Sequence, residues 1–542
     1  MLISLFADAH KWPETKDITY MTTNKLRLFV FLVTVLFTTS KVFGQITSKE
    51  IDELVARAME KFKVAGVAVA VVKDGKVVHE KGYGVRSIKT NLPVDEHTNF
   101  QIASNSKAFT TAALAILVDQ GKISWKDKVR TYIPEFKMYN DYVTEHFLIE
   151  DLLCHRSGLG LGAGDLMEFP DGTDFTIKDV LTNFQHFKPT SEFRTKYDYD
   201  NQLYLVAGEL IKRITGIAWE QFVQTKILQP LQMNNSFTAL AGMKNKTNLA
   251  SPHSAETGTI RAIAQFQDMI NGAAGGILSN VDDLSKWMIM QLDQGKYGEN
   301  SEKQLFTPDR QKDMWQIHTV LETNSYPKYN RHFYGYGLGW LLGDIKGNLR
   351  VSHTGGLPGM LTQVYMIPDL KLGIVILTNT ENGGASLFSA VNSFIIDSYL
   401  GLDKFDWMEY IAAHTQQDKK TADSITTRVW KQVEQSKNIK INQQDYIGIY
   451  EDKWFGKAEV FLKDSQLWFR SYRSPKLNGK MSLYKASSFA VKWEYQDMNC
   501  DAFAIFSLDE EGKAQGIKLK GISPDIDFSF DFQDLDFVRL KE

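Results

Sequence analysis

Two pairs of apolar strands, far apart in the sequence, constrain the fold more than any other feature of this chain. Val67–Val72 and Lys76–Glu80 flank an Asp-Gly dipeptide, which accepts the positive φ angles of a tight hairpin. Leu361–Ile367 and Leu372–Thr378 form the second pair, and helical stretches alternate with polar loops between the two pairs. This order predicts an α+β domain over residues 45–403, whose antiparallel sheet is built from both ends of the domain and flanked by helices.

The C-terminal part of the chain has a different pattern. Residues 404–440 are charged and lack Pro and Gly, which predicts a helical linker. Residues 441–542 contain short alternating runs with polar turns, which predict a small antiparallel β barrel. These runs are 458–463, 466–470, 489–495 and 502–507. Three tail tryptophans are interpreted as core, with a ligand pocket as the alternative: Trp454, Trp468 and Trp493.

Composition excludes several kinds of partner. The 542 residues include 62 Lys plus Arg and 65 Asp plus Glu, with no sustained basic tract, so no nucleic-acid partner is expected. The 11 His include no H-E-x-x-H pair and the chain has no C-x-x-C, so neither a metal nor another cofactor is predicted. The two cysteines, Cys154 and Cys500, fall in different predicted domains, and no disulfide is expected.

The N-terminus has the features of a secretory signal peptide. Lys25 and Arg27 precede an apolar run at 28–37, and small or permissive residues follow before Gln45. We therefore predict a signal peptide over residues 1–44, with Met21 as an alternative start, and an exported protein that is periplasmic or secreted. A membrane anchor is the alternative, but the run is well short of the roughly 20 apolar residues that span a bilayer. No stable transmembrane span is predicted.

A Ser-x-x-Lys pattern provides the first candidate for chemistry. Ser104 opens an apolar helix, and Lys107 lies one turn further on the same helix face, within reach of the Ser104 hydroxyl. A desolvated lysine with a lowered pKa can take the proton of a serine and turn it into a nucleophile. The pattern alone is weak, since Ser482 and Lys485 repeat it in the β-rich tail without a helix behind them.

The second candidate is a Tyr-x-Asn pattern ahead of another apolar helix. Tyr199, as phenol or phenolate, could accept the serine proton and return it to the leaving group, while the Asn201 amide could hold a substrate carbonyl. Tyr197 is the alternative if the register differs. The competing interpretation is an ordinary capped helix with packed tyrosines.

A His-Thr-Gly-Gly sequence just before the terminal strand pair provides the third candidate for chemistry. The glycine after Thr354 lets backbone approach a ligand closely. The backbone N–H groups of Gly356 and Ser104 could together form an oxyanion hole. His353 beside glycines is more often structural, so this motif depends on the other two.

Together and in this order, the three motifs resemble the serine β-lactamase and penicillin-binding-protein superfamily, in its class C-like branch with D-aminopeptidases and esterases. The resemblance covers residues 48–400 and includes the further stretches 152–159, 274–277, 283–287 and 335–340. It implies a serine hydrolase that forms an acyl-enzyme. It implies that Ser104 is the nucleophile and Lys107 the base. It also implies that His353, Thr354 and Gly355 contact the substrate. The tail resembles the lipocalin-like domain of some of these hydrolases.

His353 departs from the lysine that β-lactamases and many DD-peptidases carry at this place. A neutral imidazole cannot pair with a substrate carboxylate as a fixed cation does, and losing such a bond costs about 1.5–3 kcal/mol. We therefore expect a peptide, amide or ester substrate, with D-amino acids among the candidates, taken from a small-molecule, peptide or cell-wall-type source. A β-lactamase or DD-carboxypeptidase is the alternative within the enzymes. A non-catalytic binding protein with the same fold is the alternative outside them.

Overall fold

The two distant strand pairs meet in one sheet, as the sequence predicts. The computed structural model describes residues 45–541, apart from 245, 257, 268 and 324–327, so the predicted signal peptide lies outside the described residues. The first strand of the early pair runs antiparallel to the last strand of the late pair, from Val67 opposite Thr378 to Lys73 opposite Leu372. This pairing joins the two ends of the domain and confirms the α+β prediction.

The strands of the first domain run from Gly66 to Thr378. In chain order they are β1 (Gly66–Lys73), β2 (Lys76–Gly84), β3 (Phe100–Gln101), β4 (His253–Ser254), β5 (Arg261–Ala262), β6 (Leu278–Ser279), β7 (Lys296–Tyr297), β8 (Lys303–Gln304), β9 (Thr319–Val320), β10 (Tyr334–Tyr336), β11 (Leu341–Ile345), β12 (Asn348–Leu357), β13 (Met360–Ile367) and β14 (Leu372–Thr378). The main sheet has eight strands in the order β2-β1-β14-β13-β12-β11-β10-β9. The remaining strands form three two-stranded pairs.

The helices of the chain begin with α1 before the first strand. In chain order they are α1 (Ser48–Phe62), α2 (Ser106–Asp119), α3 (Asp141–His146), α4 (Ile177–Asn183), α5 (Gln202–Thr215), α6 (Trp219–Val223), α7 (Val281–Leu292), α8 (Pro308–Met314), α9 (Glu381–Tyr399) and α10 (Trp407–Ser436). Helix α1 starts with a capping box in which Thr47 and Glu50 satisfy each other's backbone N–H groups, which explains why the helix begins there.

Both faces of the sheet are covered, which gives the domain three layers. Alternate residues of a strand point to opposite faces. Val67, Val69 and Val71 accordingly pack with α1 and α9 on one face. Ala68 and Ala70 pack on the other face, in the larger core that includes α2, α5 and α7. The helix that follows the candidate nucleophile is thus held against the sheet by the main core.

The C-terminal domain is a closed eight-stranded antiparallel barrel. Its strands are β15 (Gly448–Asp452), β16 (Gly456–Lys463), β17 (Gln466–Ser471), β18 (Asn478–Lys485), β19 (Ser488–Trp493), β20 (Ala502–Leu508), β21 (Ala514–Gly521) and β22 (Phe537–Arg539). Trp454 and Trp493 are buried, at 3% and 1% exposure, whereas Trp468 is half-buried with the Lys463 Nζ 4.1 Å from its ring centroid.

The two domains share a hydrophobic core. Helix α10 connects them, with Trp407 buried against the first domain and Val429 and Val433 packed on the barrel. The Phe187 and Trp454 rings meet across the boundary with centroids 4.9 Å apart. The barrel is therefore in firm contact with the domain that carries the candidate chemistry. Among the described residues no helix is long and apolar enough to cross a membrane, and no cluster of side chains could hold a metal ion.

Candidate active site

Ser104 lies in a tight turn at the entrance to α2. A 3₁₀ turn over Ala103–Asn105 precedes the α-helix that starts at Ser106, so the helix predicted to open at Ser104 begins with this tighter turn. Such turns are common at helix N-termini. Ala103 adopts a positive φ of 49°. The turn leaves Ser104 partly accessible, and its side chain faces a cavity.

Lys107 is fully buried behind Ser104 and makes three polar contacts. Its Nζ lies 3.2 Å from Ser104 Oγ, 2.6 Å from Asn201 Oδ1 and 3.0 Å from the Ala274 carbonyl oxygen. Burial lowers the pKa of Lys107 to about 7, against the opposing effect of Asp165 and other nearby carboxylates. A neutral amine has two N–H bonds and one lone pair. With Asn201 and Ala274 accepting both hydrogens, the lone pair is left for the Ser104 hydroxyl proton.

Tyr199 stays a neutral phenol beside the nucleophile. Burial raises its pKa well above the ordinary value, while a hydrogen bond with the Ser104 side chain acts in the opposite direction. The Lys107 Nζ lies 4.8 Å from the centre of the Tyr199 ring. A phenol in this position can donate a proton to a leaving group, whereas a phenolate is disfavoured. Tyr197 also lines the cavity, with its ring edge-on to that of His155.

Asn201 connects Lys107 to a carboxylate that the sequence did not single out. Its Oδ1 accepts from Lys107, and its Nδ2 donates to Asp165 Oδ2 at 2.7 Å. Burial raises the pKa of Asp165 to about 7, and hydrogen bonds from Asn201, Ser529 and Gln202 oppose this effect. The amide of Asn201 is thereby oriented at both ends. Nearby, burial raises the pKa of Glu168 to about 8.

His353 is buried and held as a neutral imidazole. Because a carbonyl can only accept, Nδ1 donates to the Thr354 carbonyl at 2.6 Å, which leaves Nε2 to accept from the Tyr336 hydroxyl at 2.8 Å. The pKa of His353 is lowered to about 3, mainly by burial and to a smaller extent by repulsion from Lys107. This side chain therefore brings no positive charge to the cavity near neutral pH.

Strand β12 passes directly beside the nucleophile turn. A Cβ on Gly355 would lie 2.1 Å from the Ile102 carbonyl oxygen, so only glycine fits there. Thr362 of the next strand ties the same turn to the sheet, since its Oγ1 donates to that carbonyl at 2.9 Å. Thr354, Gly355 and Gly356 all line the cavity with Ser104.

The cavity in front of Ser104 has a volume of about 470 Å³. Most of its lining is apolar, and both domains contribute to it: Leu161, Phe169, Met269, Leu357 and Phe388 from the first, and Met498 and Phe528 from the second. This cavity is lined by all the site residues predicted from the sequence except Lys107, which lies behind Ser104. Ser482 and Lys485, which repeat the Ser-x-x-Lys pattern, lie on strand β18 of the barrel.

Carboxyl groups line part of the cavity. Among the described lining residues no Lys or Arg occurs, whereas Glu381 and Asp527 both contribute carboxylates. The Gly359 N–H donates to Glu381 Oε2 at 2.5 Å, and the Ser529 N–H donates to Asp527 Oδ1 at 2.9 Å. Burial raises the pKa of Glu381 to about 7 and also raises the pKa of Asp527. The enclosure thus offers hydrogen-bond acceptors to a ligand and no fixed cation.

Sequence reasoning missed Asp165, Glu381 and the barrel residues of the cavity. Asp165 follows a glycine-rich stretch at 158–164, the sole local signal that its loop packs closely. Ser529 has no local signal, because its position comes from the contact between domains.

Comparisons with known proteins find relatives of both domains. The model of the β-lactamase family matches residues 51–390, and that of a domain of unknown function matches residues 440–539. The unguisins hydrolase ungD' of Aspergillus campestris is 27% identical over 379 residues, covering 68% of each chain. The protein flp of Staphylococcus aureus is 25% identical over 357 residues, covering 62% of this chain and 64% of that protein.

Solved structures show the same fold. The octameric penicillin-binding protein homologue from Pyrococcus abyssi covers 91% of this chain and 100% of its own, at 19% identity and a TM-score of 0.58. The penicillin-binding protein from Bacillus halodurans covers 63% of this chain and 98% of its own, at 20% identity and a TM-score of 0.52. Since the family model spans more than half of the sequence, the chain belongs to the β-lactamase family.

Proposed function

We propose that this protein is a serine hydrolase that forms an acyl-enzyme on Ser104 and cleaves a peptide, amide or ester bond. One observation carries the proposal: Lys107 is buried with a lowered pKa, two acceptors occupy its N–H bonds, and Ser104 Oγ lies 3.2 Å away. The family and the hydrolase names of its relatives support the same reaction class.

The proposed steps follow from these contacts. The Ser104 proton passes to the Lys107 lone pair as Oγ bonds to the substrate carbonyl carbon. The carbonyl oxygen takes the negative charge, which the backbone N–H groups of Ser104 and Gly356 stabilise. The bond to the leaving group breaks as Tyr199 gives it a proton, and the proton on Lys107 restores the phenol. Water then attacks the ester on Ser104 by the same route and releases the acid.

The cavity favours substrates without a carboxylate near the scissile bond. Where Glu381 and Asp527 are ionised they repel an anion, and neutral His353 does not compensate for them. A free amine would instead find two acceptors there. We therefore propose neutral or amine-bearing peptides, amides and esters as substrates. Substrates with D-amino acids enter this proposal through the resemblance to D-aminopeptidases, and cell-wall-type peptides remain among the candidates.

Covalent labelling tests the reaction class. A fluorophosphonate probe should label the protein at Ser104, and Ser104→Ala should abolish the adduct in intact-mass measurements. Ser482→Ala, which removes the other serine in the same pattern, is the matched control and should label like the unaltered protein. Equal labelling of the Ser104→Ala variant, or no adduct in the unaltered protein, would overturn the proposal. The latter result would favour a non-catalytic binding protein.

A substrate panel separates the enzymatic alternatives. D-amino acid amides, dipeptides, short esters and nitrocefin should be compared on the same preparation. We expect turnover of the amides and esters, and slow hydrolysis of nitrocefin and of dipeptides with a free C-terminus, because both carry a carboxylate. Nitrocefin turnover that exceeds every other rate would instead identify a β-lactamase. His353→Lys should raise nitrocefin turnover by placing a cation in the cavity.

A further inference from the structure

A loop of the C-terminal barrel forms part of the wall around Ser104. The β21–β22 loop, residues 522–536, contributes Asp527, Phe528 and Ser529 to the cavity lining. The Phe528 ring stands edge-on to the Tyr199 ring with centroids 5.7 Å apart. A Cβ on Gly162 would lie 2.5 Å from the Phe528 carbonyl oxygen, so the two backbones are in direct contact.

The same loop holds Asp165 from three sides. Ser529 Oγ donates to Asp165 Oδ2 at 3.0 Å. The two carboxylate oxygens of Asp531 accept from the backbone N–H groups of Gly164 and Leu166, both at 2.8 Å. These N–H groups flank Asp165 in the chain, so the barrel fixes both its backbone and its carboxylate. Asp165 and Ser529 are 364 positions apart in the sequence.

Asp165 in turn determines which way the Asn201 amide points. As long as Asp165 accepts a hydrogen bond from Asn201, the Asn201 amide directs its NH₂ group to the carboxylate and its carbonyl oxygen to Lys107. Without that acceptor the amide can turn over, and its NH₂ would then face the N–H bonds of Lys107. Two donors facing each other repel, and the amine would leave the position from which its lone pair reaches Ser104.

Building on the proposed hydrolase reaction, we propose that Ser529 and Asp531 of the C-terminal barrel are positioning residues for catalysis. They hold Asp165, which orients Asn201, which presents its carbonyl oxygen to Lys107. The barrel domain is on this account a required part of the active site.

The chain of contacts also affects the charge on Lys107. Asp165, Glu168 and Asp200 raise the pKa of Lys107 against the effect of burial. Asp531 faces Asp165 from the barrel, and burial, with smaller effects from Asp534 and Asp165, raises the pKa of Asp531. Loss of the Ser529 hydrogen bond should raise the pKa of Asp165, so that Asp165 holds its proton to higher pH. Lys107 then becomes neutral at a lower pH.

The test measures the second-order rate of fluorophosphonate labelling of Ser104 across a pH range of about 5.5 to 9 in the full-length protein. Ser529→Ala should lower the high-pH rate by about tenfold, as expected for losing a hydrogen bond to a charged group. It should also move the acidic limb of the profile to lower pH. Ser529→Cys keeps the side-chain shape with a weaker donor and should give an intermediate rate.

A matched control and a second variant make the result decisive. Ser523→Ala alters another serine of the same loop, whose Oγ accepts from the Asp525 N–H and does not contact Asp165, and should leave the profile unchanged. Asp531→Asn loses one acceptor for the Gly164 and Leu166 N–H groups and should slow labelling in the same direction as Ser529→Ala.

The outcomes separate this proposal from the hydrolase proposal. Efficient labelling of the unaltered protein, with unchanged pH profiles in folded Ser529→Ala or Asp531→Asn, overturns the positioning role alone. Absence of labelling in the unaltered protein overturns the hydrolase function and the positioning role with it. A slower rate without any displacement of the acidic limb in Ser529→Ala would also contradict the path through Asp165.

Discussion

Replacing Lys107 with methionine should change how the stability of the protein depends on pH. Methionine has a similar length and no charge. Burial moves the pKa of Lys107 from 10.5 to about 7 in the folded protein. At about 1.4 kcal/mol per pH unit, burying this amine costs the folded state up to about 5 kcal/mol at acidic pH.

The direction follows from proton counting. Between pH 7 and 10.5 the unfolded chain holds a proton on Lys107 that the folded protein lacks, so the contribution of Lys107 to the free energy of unfolding rises with pH in this window. The methionine variant lacks this contribution. From pH 7 to pH 9 the wild type should gain about 2 kcal/mol relative to Lys107→Met. The nearby carboxylates act in the same direction, because loss of the cation raises the pKa of Asp165 and Glu168 further.

Urea unfolding followed by tryptophan fluorescence measures the difference. Wild type and Lys107→Met should be compared at pH 7 and at pH 9 in buffers of equal ionic strength. Lys122→Met, at an exposed position just after α2, is the control and should track the wild type at both pH values. Lys107→Met should also lose labelling at Ser104.

A constant difference between wild type and Lys107→Met at the two pH values would refute this account. It would mean that Lys107 remains protonated in the folded protein, as an ammonium ion paired with the surrounding carboxylates. The lone-pair mechanism would then fail as well, since a protonated amine cannot accept the Ser104 proton.

Three further predictions use other parts of the structure. Gly355→Ala should abolish labelling at Ser104 and destabilise the protein by about 1–3 kcal/mol, because the new Cβ meets a backbone carbonyl. The control Gly242→Ala places its Cβ in open space and should change neither labelling nor the urea midpoint. Labelling of both variants at the wild-type rate would contradict the close packing at Gly355. Glu381→Gln and Asp527→Asn should each raise KM for amino acid amides with a free amine and leave KM for the N-acetylated amides unchanged. Equal effects on the free and the N-acetylated amides would count against an amine site. Mass spectrometry of the protein exported from its native host should find Gln45 as the first residue, and an intact N-terminus would contradict the signal peptide.

The strand pairs and the Ser-x-x-Lys helix could be predicted because their signals are local. Alternating or continuous apolar runs determine which segments become strands, and the two pairs end up adjacent in the sheet as β1 and β14. A spacing of three places Lys107 next to Ser104 on any helix. The start of this helix differs from the prediction, because a 3₁₀ turn at Ser104, which packs against β12, precedes the α-helix.

The predicted roles of Asn201 and Tyr199 needed their three-dimensional surroundings. The sequence left Tyr199 as phenol or phenolate, and burial now favours the phenol. It assigned the Asn201 amide to a substrate carbonyl, which stays a prediction, and it gave no sign that the same amide joins Lys107 to Asp165. Hydrogen-bond partners from other segments decide these roles, and no local pattern encodes them.

The sequence by itself determined the family, the sheet built from two ends, the separate β-rich tail and the order of the three motifs, because short-range spacing and hydrophobic pattern are written along the chain. Tertiary structure alone decided the charge of the site. Lys107 and His353 have lowered pKa values because segments distant in the sequence bury them. Tertiary structure also placed Ser529 of the barrel against Asp165, a contact that exists because the two domains share one core.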